Sequence, residues 1–390
     1  MKVVIAIDSL KGSLSSMEAG KAISEGILDV MDAYVVVKPL ADGGEGTVDA
    51  LLAGMGGKQI ELEVTGPLGD KITCTYGILD DISKAESSHR LSGKTAIIEM
   101  AAAAGIKLVP NHLLNPMNTT TYGVGEIIKD AIYRGCRDFI IGIGGSSTND
   151  GGIGMLQALG YEFYDTTGNL VGIQGRELTK IVGLSTEGAL KELKECRFKI
   201  ACDVNNPLCG PLGASHIFGP QKGATPEIIE VLDAGLRNYS DVVKNALGKD
   251  TAAIPGTGAA GGLGYAFLTF LNATLESGIS IILKEIKLEE DILDADYVIT
   301  GEGKLDSQTA MGKAPIGVAR LAKKHGKKVI AFAGGTTEDA VECNNEGIDA
   351  YFSILQLPMT VEEAMEYEVA KKNLRSRAAQ VFRLIKAVQS

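Results

Sequence analysis

The sequence predicts an α/β protein with mainly parallel sheets, and three observations carry that expectation. Short apolar runs recur at residues 3–7, 34–40, 139–143, 297–300 and 329–333, lengths that suit buried strands. Most of them run into a loop rich in glycine and acid, and then into apolar residues at helical spacing. Strand, loop and helix in repetition is the pattern from which parallel sheets are built. The chain of 390 residues is 45% hydrophobic, enough for a large core and for two domains rather than one.

The first strand, 3–7, is followed by Asp8-Ser9-Leu10-Lys11-Gly12-Ser13 and a helix over 17–30. Ser15 or Ser16 is its N-cap, with Glu18 in its first turn. Asp8 and Lys11 read either as a surface ion pair or as a phosphate site, where a compact lysine cation follows moving negative charge. The second strand, 34–40, repeats the arrangement with Ala41-Asp42-Gly43-Gly44-Glu45-Gly46-Thr47 before a helix from 48. Asp42 and Glu45 could serve only the helix dipole, but a cap alone needs no second glycine. Strand ends of this kind are where open α/β sheets bind ligands.

From about residue 60 the character changes. Residues 60–64 and 72–78 alternate as antiparallel strands about the turn Gly66-Pro67-Leu68-Gly69-Asp70. Residues 80–93 form a polar loop, and 95–100 another strand. Gly93-Lys94-Thr95 resembles the end of a phosphate-binding P-loop, but Ser88 stands where its first glycine must be, which excludes that motif. Asn118 to Gly123 lead into a helix over 124–133.

The strand at 139–143 ends in the densest loop of the chain, Gly142-Ile143-Gly144-Gly145-Ser146-Ser147-Thr148-Asn149-Asp150-Gly151-Gly152, ahead of a helix over 153–159. Such a loop is either a turn with a helix cap or an anion site, in which main-chain N–H groups converge on a phosphate or carboxylate. After a short ribbon and a charged helix over 190–195, a strand ends in Cys202-Asp203-Val204-Asn205-Asn206-Pro207. Asp203 suits a general base, a magnesium ligand or an Asx-turn. Gly256-Thr257-Gly258-Ala259-Ala260-Gly261 has the letters of a dinucleotide fingerprint but no strand before it. In the last third, the strand 297–300 meets Gly301-Glu302-Gly303-Lys304-Leu305-Asp306, and Gly312-Lys313 opens a helix over 316–325. Glu302 and Asp306 with Lys304 and Lys313 read as solvated charges or as a magnesium and phosphate neighbourhood. Strands at 329–333 and 350–355 and one long helix over 361–387 complete the chain.

Composition narrows the function. A net charge of −11 argues against nucleic acid or an anionic membrane as partner, though not against a small anion. Six cysteines without C-x-x-C, and four histidines without H-E-x-x-H, suggest neither a zinc site nor a disulfide scaffold. The first apolar run stops at Asp8, too short for a signal peptide, so the expected location is cytoplasmic. Residues 251–275 carry no charge and could span a bilayer, but five glycines and Pro255 in that stretch predict a loop and a buried helix instead.

Four of these motifs, at 8–13, 41–47, 144–152 and 301–313, together resemble the bacterial type I glycerate kinases over nearly the whole chain, with Leu10 where phenylalanine is expected. The resemblance implies a parallel, Rossmann-like three-layer domain with a second α/β domain inserted, and an active site in the cleft between them. On this chain residues 1–64 and 286–390 would form the first domain and 65–285 the second, with the strand at 139–143 in either. It also implies transfer of phosphate from ATP to the 2-hydroxyl of D-glycerate, with Mg²⁺ and no nucleic-acid or membrane partner; the oligomeric state, homo-oligomer included, stays open. Under that reading Lys11 acts on the transferring phosphoryl group, and Asp203 or Asp42 on the acceptor hydroxyl. Glu302 and Asp306 take the metal, and Asp8, Ser9, Gly43, Gly44, Gly145, Ser146, Ser147, Thr148, Asn149, Asp150 and Lys313 bind substrate or phosphate. Two other classes use similar loops: a nicotinamide-dependent hydroxy-acid dehydrogenase, whose fingerprint should follow the first strand, and a non-catalytic sensor of a small acid.

Overall fold

The computed structural model describes residues 1–79 and 94–389, so the polar loop expected at 80–93 lies outside the described residues. In chain order the strands are β1 (Lys2–Ile7), β2 (Tyr34–Pro39), β3 (Gly57–Thr65), β4 (Lys71–Leu79), β5 (Lys94–Glu99), β6 (Cys136–Gly142), β7 (Glu162–Tyr164), β8 (Gly183–Ser185), β9 (Arg197–Ala201), β10 (Thr274–Glu276), β11 (Tyr297–Leu305), β12 (Lys328–Thr336) and β13 (Ala350–Ser353). The chain divides into two compact units, the first of residues 1–42, 49–56 and 279–390, the second of 43–48 and 57–278.

The first unit holds a five-stranded sheet in the order β13-β12-β11-β1-β2, parallel throughout. Its strands are apolar without alternation because both faces are covered. Val3, Ile5, Ile7, Ile299 and Phe332 share a core with the helices Ser16–Leu28 and Tyr367–Gln389. Their neighbours Val4, Ala6, Val298 and Ala331 are buried on the opposite face, and the helix Ala314–Lys324 packs on β11 and β12. The first helix starts at Ser15, whose side chain and that of Glu18 form a reciprocal capping box. The order of strands reverses between β1 and β11, and such a reversal leaves a crevice at the carboxyl ends of the strands.

The second unit holds a six-stranded sheet, β10-β9-β6-β5-β4-β3, parallel from β5 to β10 and antiparallel across β3, β4 and β5. One expectation changes here. The strand at 57–65, placed with the first domain from sequence, pairs with β4 along its whole length. Its alternation reflects that hairpin. The strand near 139–143 sits in the middle of this second sheet, between β5 and β9. The uncharged stretch 251–275 is a turn followed by the helix Ala259–Phe270, in which Ala260, Gly261 and Gly262 are left-handed. No helix among the described residues is long and apolar enough to cross a membrane.

The expected helix over 361–387 is two helices, Val361–Met365 and Tyr367–Gln389. Glu366 breaks it with extended backbone, φ −56° and ψ 130°. Thr360 caps the short first helix with a capping box to Glu363. Neither glycine nor proline marks the break, so periodicity alone runs straight through it.

Candidate active site

In the first unit, the carboxyl ends of β1, β11, β12 and β13 surround a cavity of about 570 Å³. Seven of the residues given a catalytic, binding or metal role above line it, Asp8, Ser9, Lys11, Asp42, Glu302, Asp306 and Lys313, and so does Lys304. The rim follows from local chemistry. The Asp8 N–H donates to the Gly301 carbonyl at 2.9 Å, joining the ends of β1 and β11, and its own carboxylate accepts from the Ser9 N–H at 2.7 Å. Lys11 is exposed just beyond, on a loop turned by Gly12 at φ +80°. Lys313 stands at the N-cap of the helix Ala314–Lys324, whose first-turn N–H groups favour an anion.

The carboxylates here are unequal. Burial pushes the Asp8 carboxyl up to about 7, with the Asp42 charge adding to it and the Ser9 N–H and Lys11 opposing. Burial also raises Glu302, with Asp306 and Asp42 adding, against a hydrogen bond from the Thr309 hydroxyl and the charge of Lys313. Partial burial pushes Asp306 up as well. The Lys304 ammonium at 3.3 Å, the Thr309 N–H and Lys313 outweigh it, and the group lies below the ordinary carboxylate range. Asp306 also caps the short helix Ser307–Ala310, so much of its hydrogen-bonding capacity is already engaged. Glu302 is the better placed of the two for a cation.

The remaining candidates lie in the second unit. Gly43 is a packing residue: a Cβ there would fall 2.7 Å from the Ala201 side chain and 2.8 Å from the Gly278 Cα. The Gly44 carbonyl accepts from the Thr47 hydroxyl at 2.7 Å. The N–H groups of Gly46 and Val48, at the start of the helix that follows, donate to Glu99 at 3.1 and 2.9 Å. Asp203 is exposed and accepts from the Gly278 N–H at 3.1 Å.

In the glycine and hydroxyl loop, only Gly144 and Gly145 are exposed. Ser147 donates to the Ala104 carbonyl at 3.0 Å, and Asn149 to Ser215 at 3.0 Å. Thr148 is buried. Asp150 is fully buried and accepts from the Thr121 N–H and hydroxyl at 2.8 and 2.7 Å and from the Gly152 N–H at 3.1 Å. Burial pushes its carboxyl up, and these donors oppose it. Residue types placed these groups in a site, but their side chains are turned inward and build the loop. Of the predicted binding residues in this loop, Gly145, at φ +73°, and Ser146, 8% exposed, lie nearest the surface.

Sequence reasoning missed Lys222. It sits in Gly219-Pro220-Gln221-Lys222-Gly223, is 1% exposed, and donates to the Ser146 hydroxyl at 2.7 Å and the Thr148 carbonyl at 2.6 Å. Burial lowers its ammonium to about 7, while the Asp150 carboxylate opposes that. A lysine between two glycines and after a proline was the available signal, since a turn residue of that charge is normally solvated. Lys222→Met keeps the volume but leaves two buried acceptors unpaired and Asp150 without its counter-charge. Urea unfolding should show a loss of about 2–4 kcal/mol; a loss below 1 kcal/mol would mean that Lys222 is dispensable to the loop.

The dinucleotide-like glycines also have a structural use. A Cβ at Gly258 would fall 2.2 Å from the Pro207 carbonyl, and one at Gly261 2.0 Å from the Thr148 carbonyl. They let two backbones pass close together, and a turn rather than a strand precedes them.

Comparison with known proteins agrees with these motifs. A model of the glycerate kinase family matches residues 3–386. The glycerate 2-kinase of Escherichia coli K12 is 49% identical over 365 residues, 93% of each chain. The glycerate kinase of Haemophilus influenzae Rd is 47% identical over 386 residues, 99% of each. A crystal structure from Salmonella typhimurium LT2, provisionally named glycerate kinase 2, shares 45% identity with a TM-score of 0.90, covering 100% of this chain and 99% of that one. With the family model spanning almost every residue and such relatives along its full length, the chain belongs to the glycerate kinase family.

Proposed function

We propose that the protein transfers the γ-phosphoryl group of ATP to the 2-hydroxyl of D-glycerate, releasing ADP and 2-phosphoglycerate. The observation that carries this reading is the meeting of Lys11 and Lys313 with Asp8, Asp42 and Glu302 at one strand-order reversal, in a chain of this family. Phosphoryl transfer asks little covalent chemistry of the protein; it needs the groups in line and the charge neutralised.

Lys11 would follow the phosphoryl group as it moves. Lys313 and the helix N-terminus behind it would hold phosphate oxygens. An acidic side chain would orient the acceptor hydroxyl and take its proton as the new ester bond forms and the bond to the bridging oxygen of ATP breaks. Asp42 and Asp203 are the two candidates, and Asp42 is favoured because it lines the cavity. The acidic cluster also suits Mg²⁺. Among the described residues no three His, Cys, Asp or Glu side chains form a ready metal site, but Mg²⁺ commonly takes one or two carboxylates plus substrate phosphates. Glu302 would hold it, with Asp306 beside it; the ion, when bound, would neutralise phosphate charge.

The test is a coupled assay. Purified protein with D-glycerate and Mg-ATP, and with enolase as the only coupling enzyme, should generate the absorbance of phosphoenolpyruvate, because enolase consumes 2-phosphoglycerate directly. A signal that requires phosphoglycerate mutase would reverse the position of transfer. Silence with and without mutase, with controls working, would overturn the kinase reading.

A further inference from the structure

The same cavity has a second half. Besides the charged rim it is lined by Leu10, Ile354, Leu355, Met359, Val361 and Met365. Two of these are open to solvent, Val361 at 69% and Met365 at 39%, so apolar surface is held uncovered beside a cluster of charges. The wall exists because of the break at Glu366: the five-residue helix Val361–Met365, with its own cap, stands apart from the long helix that follows. Packing joins the halves. A Cβ on Gly12, next to Lys11, would fall 2.5 Å from the Met365 methyl group.

Resting on the kinase reading, we propose that this cavity of the first unit is the nucleotide site, with the base against the wall at 354–365 and the phosphates toward Lys11 and Lys313. A small hydroxy acid cannot use such a wall. It carries hydroxyls and a carboxylate, and it would leave most of about 570 Å³ unfilled. A nucleoside triphosphate matches both halves, with a flat apolar-faced ring at one end and a polyanion at the other. The volume lies within the range of pockets that enclose ligands of that size. Methionine suits a ring face because its thioether is polarisable and adapts its shape.

Two variants test this. Ala364→Phe places a ring on the wall, and Val361→Asp puts a charge there from a side chain so exposed that the fold does not depend on it. Titration calorimetry with Mg-ADP should show affinity weakened about ten-fold or more in each, with KM for Mg-ATP raised in parallel and KM for D-glycerate changed less than about two-fold. Unchanged Mg-ADP affinity in Val361→Asp and Ala364→Phe would overturn the proposal, as would a raised KM for D-glycerate alone, which would give the cavity to the acid. The functional reading fails separately: a wild-type protein that binds Mg-ADP at this wall yet does not phosphorylate D-glycerate keeps the site and loses the substrate.

Discussion

Replacing Lys11 with methionine should lower kcat for D-glycerate phosphorylation by about 10²–10³-fold, the usual effect of removing one group aimed at developing transition-state charge. Lys11 is exposed on a loop past the end of β1 and carries no core packing, so stability should stay within about 0.5 kcal/mol. The methionine keeps the length and apolar stem of the side chain and removes only the ammonium. Because the charge matters most as the phosphoryl group moves, KM should change far less than kcat. Lys11→Arg should recover only part of the rate, since a planar fork does not replace a compact cation. A kcat within three-fold of wild type for Lys11→Met would remove Lys11 from the chemistry.

Asp8→Asn should stabilise the protein at alkaline pH. The Asp8 carboxyl is raised from its ordinary 3.8 to about 7; at about 1.4 kcal/mol for each tenfold change in proton affinity, ionised Asp8 costs roughly 4 kcal/mol when fully expressed. The sign follows from linkage: a raised acid binds more protons folded than unfolded, so its favourable contribution is present below the unfolded value and disappears as pH rises through about 7. Asparagine has no such dependence. The gain in unfolding free energy over wild type should therefore be small near pH 4, grow up to about pH 7 and then level at about 4 kcal/mol, with turnover falling in the same variant. Denaturant unfolding across that range decides it, and a gap independent of pH would show that Asp8 is not held at a cost.

The first unit was legible because its grammar is local. A parallel strand buried on both faces reads as an apolar run, and its carboxyl end must turn, so Asp8, Asp42 and Glu302 announce themselves by position. The inward turn of Ser147, Asn149 and Asp150 was not legible, since residue type does not say which way a side chain points; Thr121, Ala104 and Ser215 decide that from distant parts of the chain. Lys222 was missed for the same reason. The apolar wall escaped notice because Val361 and Met365 have the spacing of residues that face a core. Only the backbone at Glu366 shows that they belong to a separate helix.

The pairing of β1 with β11 also has a consequence for how the chain is made. Val3 aligns with Tyr297 and Ile5 with Ile299, so the sheet of the first unit joins strands almost three hundred residues apart. A ribosome releases β1 and β2, which pair with each other, long before β11 exists, and the open edge of β1 invites association in the meantime. The second unit, by contrast, draws most of its residues from one continuous stretch, 57–278. It can close while synthesis continues, whereas the segment that carries Lys11 waits for the last third of the polypeptide. Synthesis should therefore pass through a stage in which one half is folded and the other depends on chaperones.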